Sequence, residues 1–209
     1  MEKYLDIENW NRKENFNFFK DFSDPYFGVT VDVDVTQAFA HAKKTKTPFF
    51  VLYLHACMRA IQQVENFKYR MTSDDKVVVH DVIHASATIA REDHTFGFSF
   101  IKYSKNIDEF YQNFKREKER ILTSKNLFSP VNSEDCIYCS ALPWMNFSGH
   151  KEPVKGVKES VPKLAFGRCV EKEGVLKMPV AIMVSHALMD GYHVGLFFKA
   201  YQKMLDTYK

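Results

Sequence analysis

Residues 179–191 read Pro-Val-Ala-Ile-Met-Val-Ser-His-Ala-Leu-Met-Asp-Gly. The apolar first half predicts a buried strand that ends at His186. Asp190 and Gly191 then open a helix, for which Asp190 is a suitable N-cap. The imidazole of His186 is therefore expected beside a turn and a helix N-terminus. Taken alone, this pattern favours a histidine that fills the strand end and bonds to local backbone over a catalytic one.

Apolar periodicity predicts helices and strands throughout the rest of the chain. The predicted helices cover residues 8–22, 35–44, 49–64, 107–122 and 191–208, and the predicted strands cover 27–33, 76–79, 82–90, 95–103, 136–141, 163–170 and 175–185. Residues 171–174 supply a hairpin turn before the last strand. Early and late helices around several strands indicate an α+β fold, a two-layer α/β sandwich in which helices pack a mixed sheet. No repeat or linker interrupts the sequence, so we expect a single domain over residues 1–209.

The composition is that of a folded protein without marked affinity for nucleic acid or membrane. Of 209 residues, 45% are hydrophobic and 26% are charged, which excludes a disordered chain. The net charge of +3 is small and the basic residues are scattered, so no nucleic-acid partner is expected. No secretory signal or run of membrane-spanning length is present, and the four cysteines do not resemble a disulfide scaffold. We therefore expect a cytoplasmic protein, whose 15% aromatic residues provide large apolar contacts within and between subunits.

The common catalytic and metal-binding motifs are absent from the sequence. It has no glycine-rich phosphate loop, no dinucleotide fingerprint and no nucleophile elbow. Cys136 and Cys139 have C-x-x-C spacing, but they fall in a predicted strand, where residues three apart point to opposite faces. We therefore expect no metal site at these cysteines. Six other histidines follow no pattern, and solvated or core-packed imidazoles explain them better: His41, His55, His80, His84, His94 and His150.

Three segments carry motifs that fit together in order and spacing. Residues 186–191 match the HxxxDG signature of CoA-dependent acyltransferases. Residues 10–16 read W-x-R-K-E-x-F, and residues 140–144 read S-x-x-P-W. Together with the run that continues through Gly195, these segments resemble the chloramphenicol acetyltransferase family. The likeness extends from residue 10 to about residue 195, and it implies that family's mixed-sheet fold.

The resemblance implies transfer of an acetyl group from acetyl-CoA to a hydroxyl of chloramphenicol or a related small alcohol. Acetyl-CoA would be a co-substrate, no cofactor would be bound permanently, and no covalent enzyme intermediate would form. His186 would be the general base that removes the proton of the acceptor hydroxyl. Ser140 would donate a hydrogen bond to the tetrahedral oxyanion. Without the resemblance, Ser140 is better explained as a small strand residue bonded to a neighbouring carbonyl.

The same resemblance implies supporting residues and an oligomer. Asp190 would form an ion pair with Arg12 that holds the histidine-bearing loop, rather than act in a Ser-His-Asp triad. The ion pair and the cap role of Asp190 are compatible. Phe18, Phe19 and Trp144 fall where the family places aromatic residues at the acceptor pocket, although core packing explains them equally well. The family assembles as a homotrimer, so each active site would lie between two subunits.

Several positions depart from the family pattern. Ser185 replaces a second histidine, Met189 a cysteine, Ala165 a threonine and Cys169 an aromatic residue that helps to hold CoA. Residues 145–151 are also atypical, since the family is more apolar there. Two alternatives therefore stay open. One is CoA-dependent acyl transfer to a different acceptor, as in dihydrolipoyl acyltransferases, and the other is a non-catalytic trimeric binding protein on the same scaffold.

Overall fold

A mixed β-sheet lies at the centre of the computed structural model, which describes residues 3–131, 134–156 and 158–208. The helices are α1 (Lys13–Phe19), α2 (Thr36–Thr45), α3 (Phe49–Ile61), a 3₁₀ helix (Glu65–Lys68), α4 (Ile107–Leu122) and α5 (Gly191–Leu205). The strands are β1 (Tyr26–Asp34), β2 (Tyr69–Met71), β3 (Val77–Val79), β4 (His84–Ala90), β5 (Phe96–Phe98), β6 (Cys136–Leu142), β7 (Lys163–Gly167), β8 (Val170–Lys172) and β9 (Val175–Ser185). Within the described ranges, no helix has the length and apolar character needed to cross a bilayer.

The main sheet combines parallel and antiparallel pairs. Its strands run in the order β1-β9-β7-β6-β4-β5, and β8 also pairs with β9. The three strands β4, β6 and β7 are parallel to one another. Strand β9 pairs in the antiparallel sense with β1, β7 and β8. Strand β5 pairs in the antiparallel sense with β4. β2 and β3 form a separate hairpin. The predicted α+β class with a helix-packed mixed sheet is confirmed, whereas a single domain over residues 1–209 stays a prediction.

β9 is buried on both faces, which explains its continuous apolar sequence. Val180, Ile182 and Val184 point into the main core, where they join residues of α2, α3, α4 and α5. Met183 points to the face of the sheet that is not covered by these helices, here named the second face. There its Sδ accepts a hydrogen bond from the backbone N–H of Glu152 at 3.2 Å. The loop after β6 therefore covers the second face at this strand. Pairing on both edges and burial on both faces fix the strand that ends at His186.

The elements with the clearest local signals begin and end where predicted. α4 covers residues 107–122, and the side chain of Asn106 caps it by accepting from the N–H groups of Asp108 and Glu109. β9 covers residues 175–185, and a hairpin turn joins it to β8 as predicted. In that turn Glu173 (φ 54°) and Gly174 (φ 78°) both adopt the left-handed backbone that a type I′ turn requires.

The first predicted helix, over residues 8–22, is wrong in length, since α1 has only seven residues. Before α1, the side chain of Asp6 accepts from the backbone N–H of Asn9 at 3.3 Å, and such local side-chain bonds compete with helix formation. After α1, the N–H of Phe22 donates to the carbonyl of Phe19 at 3.1 Å, which is a tighter turn than that of an α-helix. The helix therefore lies between two local turns.

Two predicted strands are shorter or divided. The predicted strand over 95–103 is paired regularly only at Phe96–Phe98, because the Ser99 hydroxyl then bonds to both backbone groups of Ala87. The predicted strand over 163–170 divides into β7 and β8, because Pro179 on the facing strand has no N–H to pair there. β2 was not predicted, since its three residues are too short for a visible alternation.

Gly167 and Gly195 provide a matched test of packing. A Cβ on Gly167 would lie 2.6 Å from Cγ of Pro179 and 2.9 Å from Cε1 of Phe147, so we expect Gly167→Ala to lower the free energy of unfolding by about 1–3 kcal/mol. Gly195 lies inside α5, where a Cβ would meet no atom within 4 Å. Gly195→Ala should therefore raise the free energy of unfolding by about 0.5–1 kcal/mol. Urea unfolding of both variants checks the signs. Equal effects of the two substitutions would contradict the described packing at Gly167.

Candidate active site

Hydrogen bonds on both sides of its backbone hold His186 at the end of β9. Its N–H donates to the carbonyl of Pro25 at 2.8 Å, which extends the pairing with β1 beyond the last strand residue. The carbonyl of Ser185 accepts from the N–H of Leu188 at 3.1 Å and closes the turn. The buried amide of Asn66 donates to the carbonyl of Leu188 at 2.8 Å. The turn between β9 and α5 is thus fixed by the sheet and by the 3₁₀ helix.

Two aromatic rings fix the plane of the His186 imidazole. The ring of Phe19 is stacked on it with centroids 4.3 Å apart and an interplanar angle of 1°. The ring of Phe27 contacts it at 4.6 Å in a tilted arrangement. Nδ1 is buried and has no hydrogen-bond partner among the described residues, so Nε2 is the accessible nitrogen of this half-buried ring. The imidazole therefore has a fixed orientation and one nitrogen, Nε2, that is accessible from outside the protein.

The guanidinium of Arg12 joins the two ends of the turn that carries His186. Its Nη1 is paired with the carboxylate of Asp190, and its Nη2 donates to the carbonyl of His186 at 3.2 Å. Arg12 is only 7% exposed and lies at the N-terminus of α1. The structure thus contains the ion pair that the family resemblance implies. The same contact places α1, and with it Phe19, against His186.

Asp190 caps α5 while it pairs with Arg12. Its carboxylate accepts from the N–H of Tyr192 at 3.0 Å, so the predicted cap and the predicted ion pair occur together. Burial alone would raise the pKa of Asp190. The positive charge of Arg12 and the hydrogen bonds from His193 and Tyr192 outweigh burial and lower the pKa below its ordinary value of 3.8. Asp190 is therefore a charged structural anchor at neutral pH.

Ser140 lies far from His186 within one chain. In the sheet register Ser140 is opposite Ala165, and Ala165 is opposite Ala181, which precedes His186 by five residues. Two strand spacings and five residues of strand correspond to roughly 15–20 Å between the two Cα atoms. Ser140 also shares the second face with Ala165, whereas the His186 ring contacts Phe27 on the helix-covered face. One chain therefore does not bring the predicted base and the predicted oxyanion donor together.

The three predicted aromatic site residues have different surroundings. Phe19 contacts His186, and Phe18 packs on Phe19 at 4.8 Å between ring centroids but is itself 65% exposed. Trp144 follows β6, beyond Ser140, and is 69% exposed. The structure therefore brings Arg12, Phe19 and Asp190 to His186, while Phe18 and Trp144 face solvent.

Three contacts of the site were not predicted from the sequence. Asn66 gave no signal, because 122 residues separate it from its partner Leu188. Phe27 was expected only as a strand residue. His193 lies three residues after the N-cap Asp190, the position at which a capping box has its second member, so the spacing did contain a signal for it.

The cysteines lie apart, as their strand positions predict. Cys139 belongs to the main core, whereas Cys136 packs with Phe100 and Val161 on the other face. Across residues 3–131, 134–156 and 158–208, no three His, Cys, Asp or Glu side chains are grouped so that they could hold a metal ion.

Comparison with known proteins yields matches over nearly the whole chain. A family model described as chloramphenicol acetyltransferase matches residues 2–202. The chloramphenicol acetyltransferase of Bacillus pumilus is 28% identical over 209 residues, which are 99% of this chain and 94% of that protein. Chloramphenicol acetyltransferase 3 of Escherichia coli is 26% identical over 97% of this chain and 96% of that protein.

Solved structures share the same architecture. A chloramphenicol acetyltransferase structure has a TM-score of 0.89 at 31% identity and covers 98% of this chain and 100% of that chain. The truncated catalytic core of the 2-oxoacid dehydrogenase multienzyme complex from Thermoplasma acidophilum has a TM-score of 0.69 at 17% identity, covering 98% of each chain. The second likeness concerns the fold alone.

Substitution of Asp190 separates its cap role from its ion pair. Asp190→Asn keeps a side-chain oxygen for the cap but removes the charge that pairs with buried Arg12. We expect it to lower the free energy of unfolding at pH 7 by about 1–2 kcal/mol, a range discounted for the partial exposure of Asp190. Because the folded-state pKa of Asp190 is lowered, its stabilisation is present above the ordinary value of 3.8 and is lost as the pH falls through the folded value.

The difference in free energy of unfolding between the wild type and Asp190→Asn should therefore be smaller in acid. Denaturant unfolding at pH 7 and pH 3 measures this difference. Asp190→Ala, which removes the cap as well, should cost about 1 kcal/mol more than Asp190→Asn. Equal stability of the wild type and Asp190→Asn at pH 7 would show that the ion pair contributes nothing.

Proposed function

The chain belongs to the chloramphenicol acetyltransferase family, and from that premise we propose that it transfers the acetyl group of acetyl-CoA to a hydroxyl of chloramphenicol or a related small alcohol. Acetyl-CoA is a co-substrate in this proposal, and no permanently bound cofactor takes part. The protein acts as a homotrimer with its active sites between subunits. The observation that carries the proposal is the fixed orientation of His186, whose expected partner Ser140 lies on the opposite face of the sheet within the same chain.

His186 acts as the general base. Its accessible Nε2 removes the proton of the acceptor hydroxyl as the hydroxyl oxygen attacks the thioester carbonyl of acetyl-CoA. A C–O bond forms, and the tetrahedral intermediate then expels the CoA sulfur, which takes the proton from the imidazolium. Phe19 and the Arg12–Asp190 pair support this role, because they fix the ring plane and the backbone of the base.

Ser140 stabilises the oxyanion of that intermediate from a neighbouring subunit. Its hydroxyl is half-buried on β6, on the second face of the sheet. A hydrogen-bond donor of this kind acts only if it lies about 3 Å from the developing charge. Since Ser140 and His186 lie roughly 15–20 Å apart within one chain, the proposal places a second copy of the chain at the site.

Exposed aromatic side chains support such an assembly. Single exposed apolar residues are ordinary, but aromatic rings are enriched at protein interfaces. Four such rings are 65–72% exposed, namely Phe18, Phe128, Trp144 and Tyr192. Phe18 lies beside the His186 cluster and Trp144 lies beyond Ser140, so a neighbouring copy would cover both sides of the proposed site.

Polar pairs near the second face favour a second candidate, the same acyl transfer to a more polar acceptor. Glu152, which contacts Met183 on this face, pairs with Nε2 of His150 at 2.9 Å. Lys151 pairs with Asp24 at 2.9 Å. Chloramphenicol is therefore the first acceptor to test and not the only one.

Release of CoA thiol measures the proposed reaction. Purified protein with acetyl-CoA and chloramphenicol should release thiol, His186→Ala should abolish the release, and Ser140→Ala should lower kcat by about 10²–10³-fold. Release with other alcohols and not with chloramphenicol would select the second candidate. A folded protein that releases no thiol with any acceptor is a non-catalytic binding protein, and the proposal is then rejected.

Co-expression of two inactive variants tests the shared site. A site that combines His186 of a Ser140→Ala chain with Ser140 of a His186→Ala chain contains both wild-type residues. When the two variants mix at random in equal amounts, one site in four has this combination. Co-expression should therefore restore about one quarter of the wild-type activity. The separately purified variants, combined without subunit exchange, serve as the control. If a mixed assembly with the mass of three 24.4 kDa chains gains no activity, the site lies within one chain.

A further inference from the structure

Asn66 is a buried polar residue that contacts the turn between β9 and α5 from the neighbouring 3₁₀ helix. Its side-chain amide donates to the carbonyl of Leu188 at 2.8 Å. Asn66 is 9% exposed, and Leu188 is fully buried. Leu188 lies midway between His186 and Asp190 in the sequence. The bond from Asn66 therefore holds the middle of the turn that carries His186.

This bond is independent of the bonds that Arg12 makes. Arg12 contacts the two ends of the turn, through the carbonyl of His186 and the carboxylate of Asp190. A segment that is held only at its two ends can still rotate about the line that joins them. The amide of Asn66 supplies a third point of attachment, off that line, and so fixes the rotation of the turn.

Asn66 has a rigid support of its own, because Arg70 joins the region around it to β6. The guanidinium of Arg70 is buried and donates to two backbone carbonyls within residues 67–69, at 2.9 and 2.6 Å. It also donates to two backbone carbonyls within residues 134–136, at the start of β6. The amide that holds the turn is thus attached to the strand that carries Ser140.

Apolar packing joins the same elements but does not set their orientation. Ala187 and Leu188 belong to a buried cluster with Phe16 of α1 and with side chains of β2 and β3. Burial of apolar surface stabilises this contact without favouring one direction, whereas a hydrogen bond requires a defined distance and angle. The directional contact between the turn and this part of the chain is the bond from Asn66.

We propose that Asn66 is a positioning residue for His186. Its amide fixes the turn, and the turn fixes how the His186 ring lies on Phe19. Loss of the amide leaves the buried carbonyl of Leu188 without this donor, so the turn shifts toward another partner. A displacement of about 1 Å at a catalytic group lowers turnover strongly. The effect on activity rests on the proposed acyl transfer, whereas the effect on the position of the ring does not.

Asn66→Ala and Asn113→Ala form a matched pair of variants. Asn113 lies on α4, is 7% exposed, and donates from its amide to the carbonyl of Lys102 at 2.8 Å. Each substitution therefore removes a buried amide that donates to a backbone carbonyl over the same distance. Only the first of the two amides contacts the turn of His186.

We expect Asn66→Ala to lower kcat about 10–10²-fold and to leave the KM for acetyl-CoA within about twofold of the wild type. Asn113→Ala should leave both constants within about twofold of the wild type. Thermal unfolding of each full-length variant gives a temperature at which all of them are folded, and kcat is measured there. An equal loss of kcat in the two variants would be a general effect of lowered stability and would overturn the inference.

Nuclear magnetic resonance of isotope-labelled histidine gives a readout that needs no activity. Protons above the face of an aromatic ring resonate upfield, and the His186 ring is stacked on Phe19. The spectrum of His186→Ala identifies the signals of this ring. At constant pH, Asn66→Ala should move these signals toward their positions in the unfolded protein, and Asn113→Ala should leave them unchanged.

Asn66→Ser, whose side chain reaches one bond less far, takes the place of Asn66→Ala if that variant does not fold. If the wild type acetylates no acceptor but the Asn66 variant moves the His186 signals, the proposed function fails and the positioning role stands. Wild-type kcat or unchanged His186 signals in a folded Asn66 variant overturns the inference.

Discussion

The guanidinium of Arg12 is the group on which the site depends, because it joins three parts of the chain. It belongs to the start of α1, pairs with Asp190 at the start of α5 and donates to the carbonyl of His186 at the end of β9. A planar guanidinium satisfies two acceptors at fixed angles, which an ammonium group does not. α1 has seven residues, too few to be stable alone, so this contact and the burial of Phe16 set its position. The placement of Phe19 on the imidazole follows from them.

The sheet imposes a second constraint, because it separates the predicted base from the predicted oxyanion donor. Ser140 lies on the second face, and the His186 ring lies beside the face that the helices cover. No side-chain rotation crosses a sheet whose core residues are fully buried on both sides of β9. A site that uses both residues must therefore be built from two chains. The exposure of Phe18 and Trp144 beside the two half-sites agrees with that requirement.

The sequence predicts what local physics determines and misses what distant contacts determine. α4 and β9 have clear periodicity and, for α4, a capping Asn106, so their bounds are as predicted. The predicted strand over 163–170 divides because of Pro179, a residue that becomes its neighbour only in the folded sheet. At the site, Asp190 was predictable as a cap, and Arg12 was predictable only through the family resemblance. The role of Asn66 depends on the tertiary fold and has no signal in the sequence around it.

The departures from the family pattern divide between the two faces of the sheet. Met189 packs in the main core, and Ser185 lies buried on the second face. Neither makes a ring contact or side-chain hydrogen bond to the imidazole within the described residues. Ala165, in contrast, lies directly opposite Ser140, and the atypical segment 145–151 follows β6. The contacts that orient His186, the proposed base, thus involve neither of the first two residues, while the other two departures lie beside Ser140, the proposed oxyanion donor. Because Ser140 and His186 lie on opposite faces of the sheet, the residues around Ser140 can vary without moving His186.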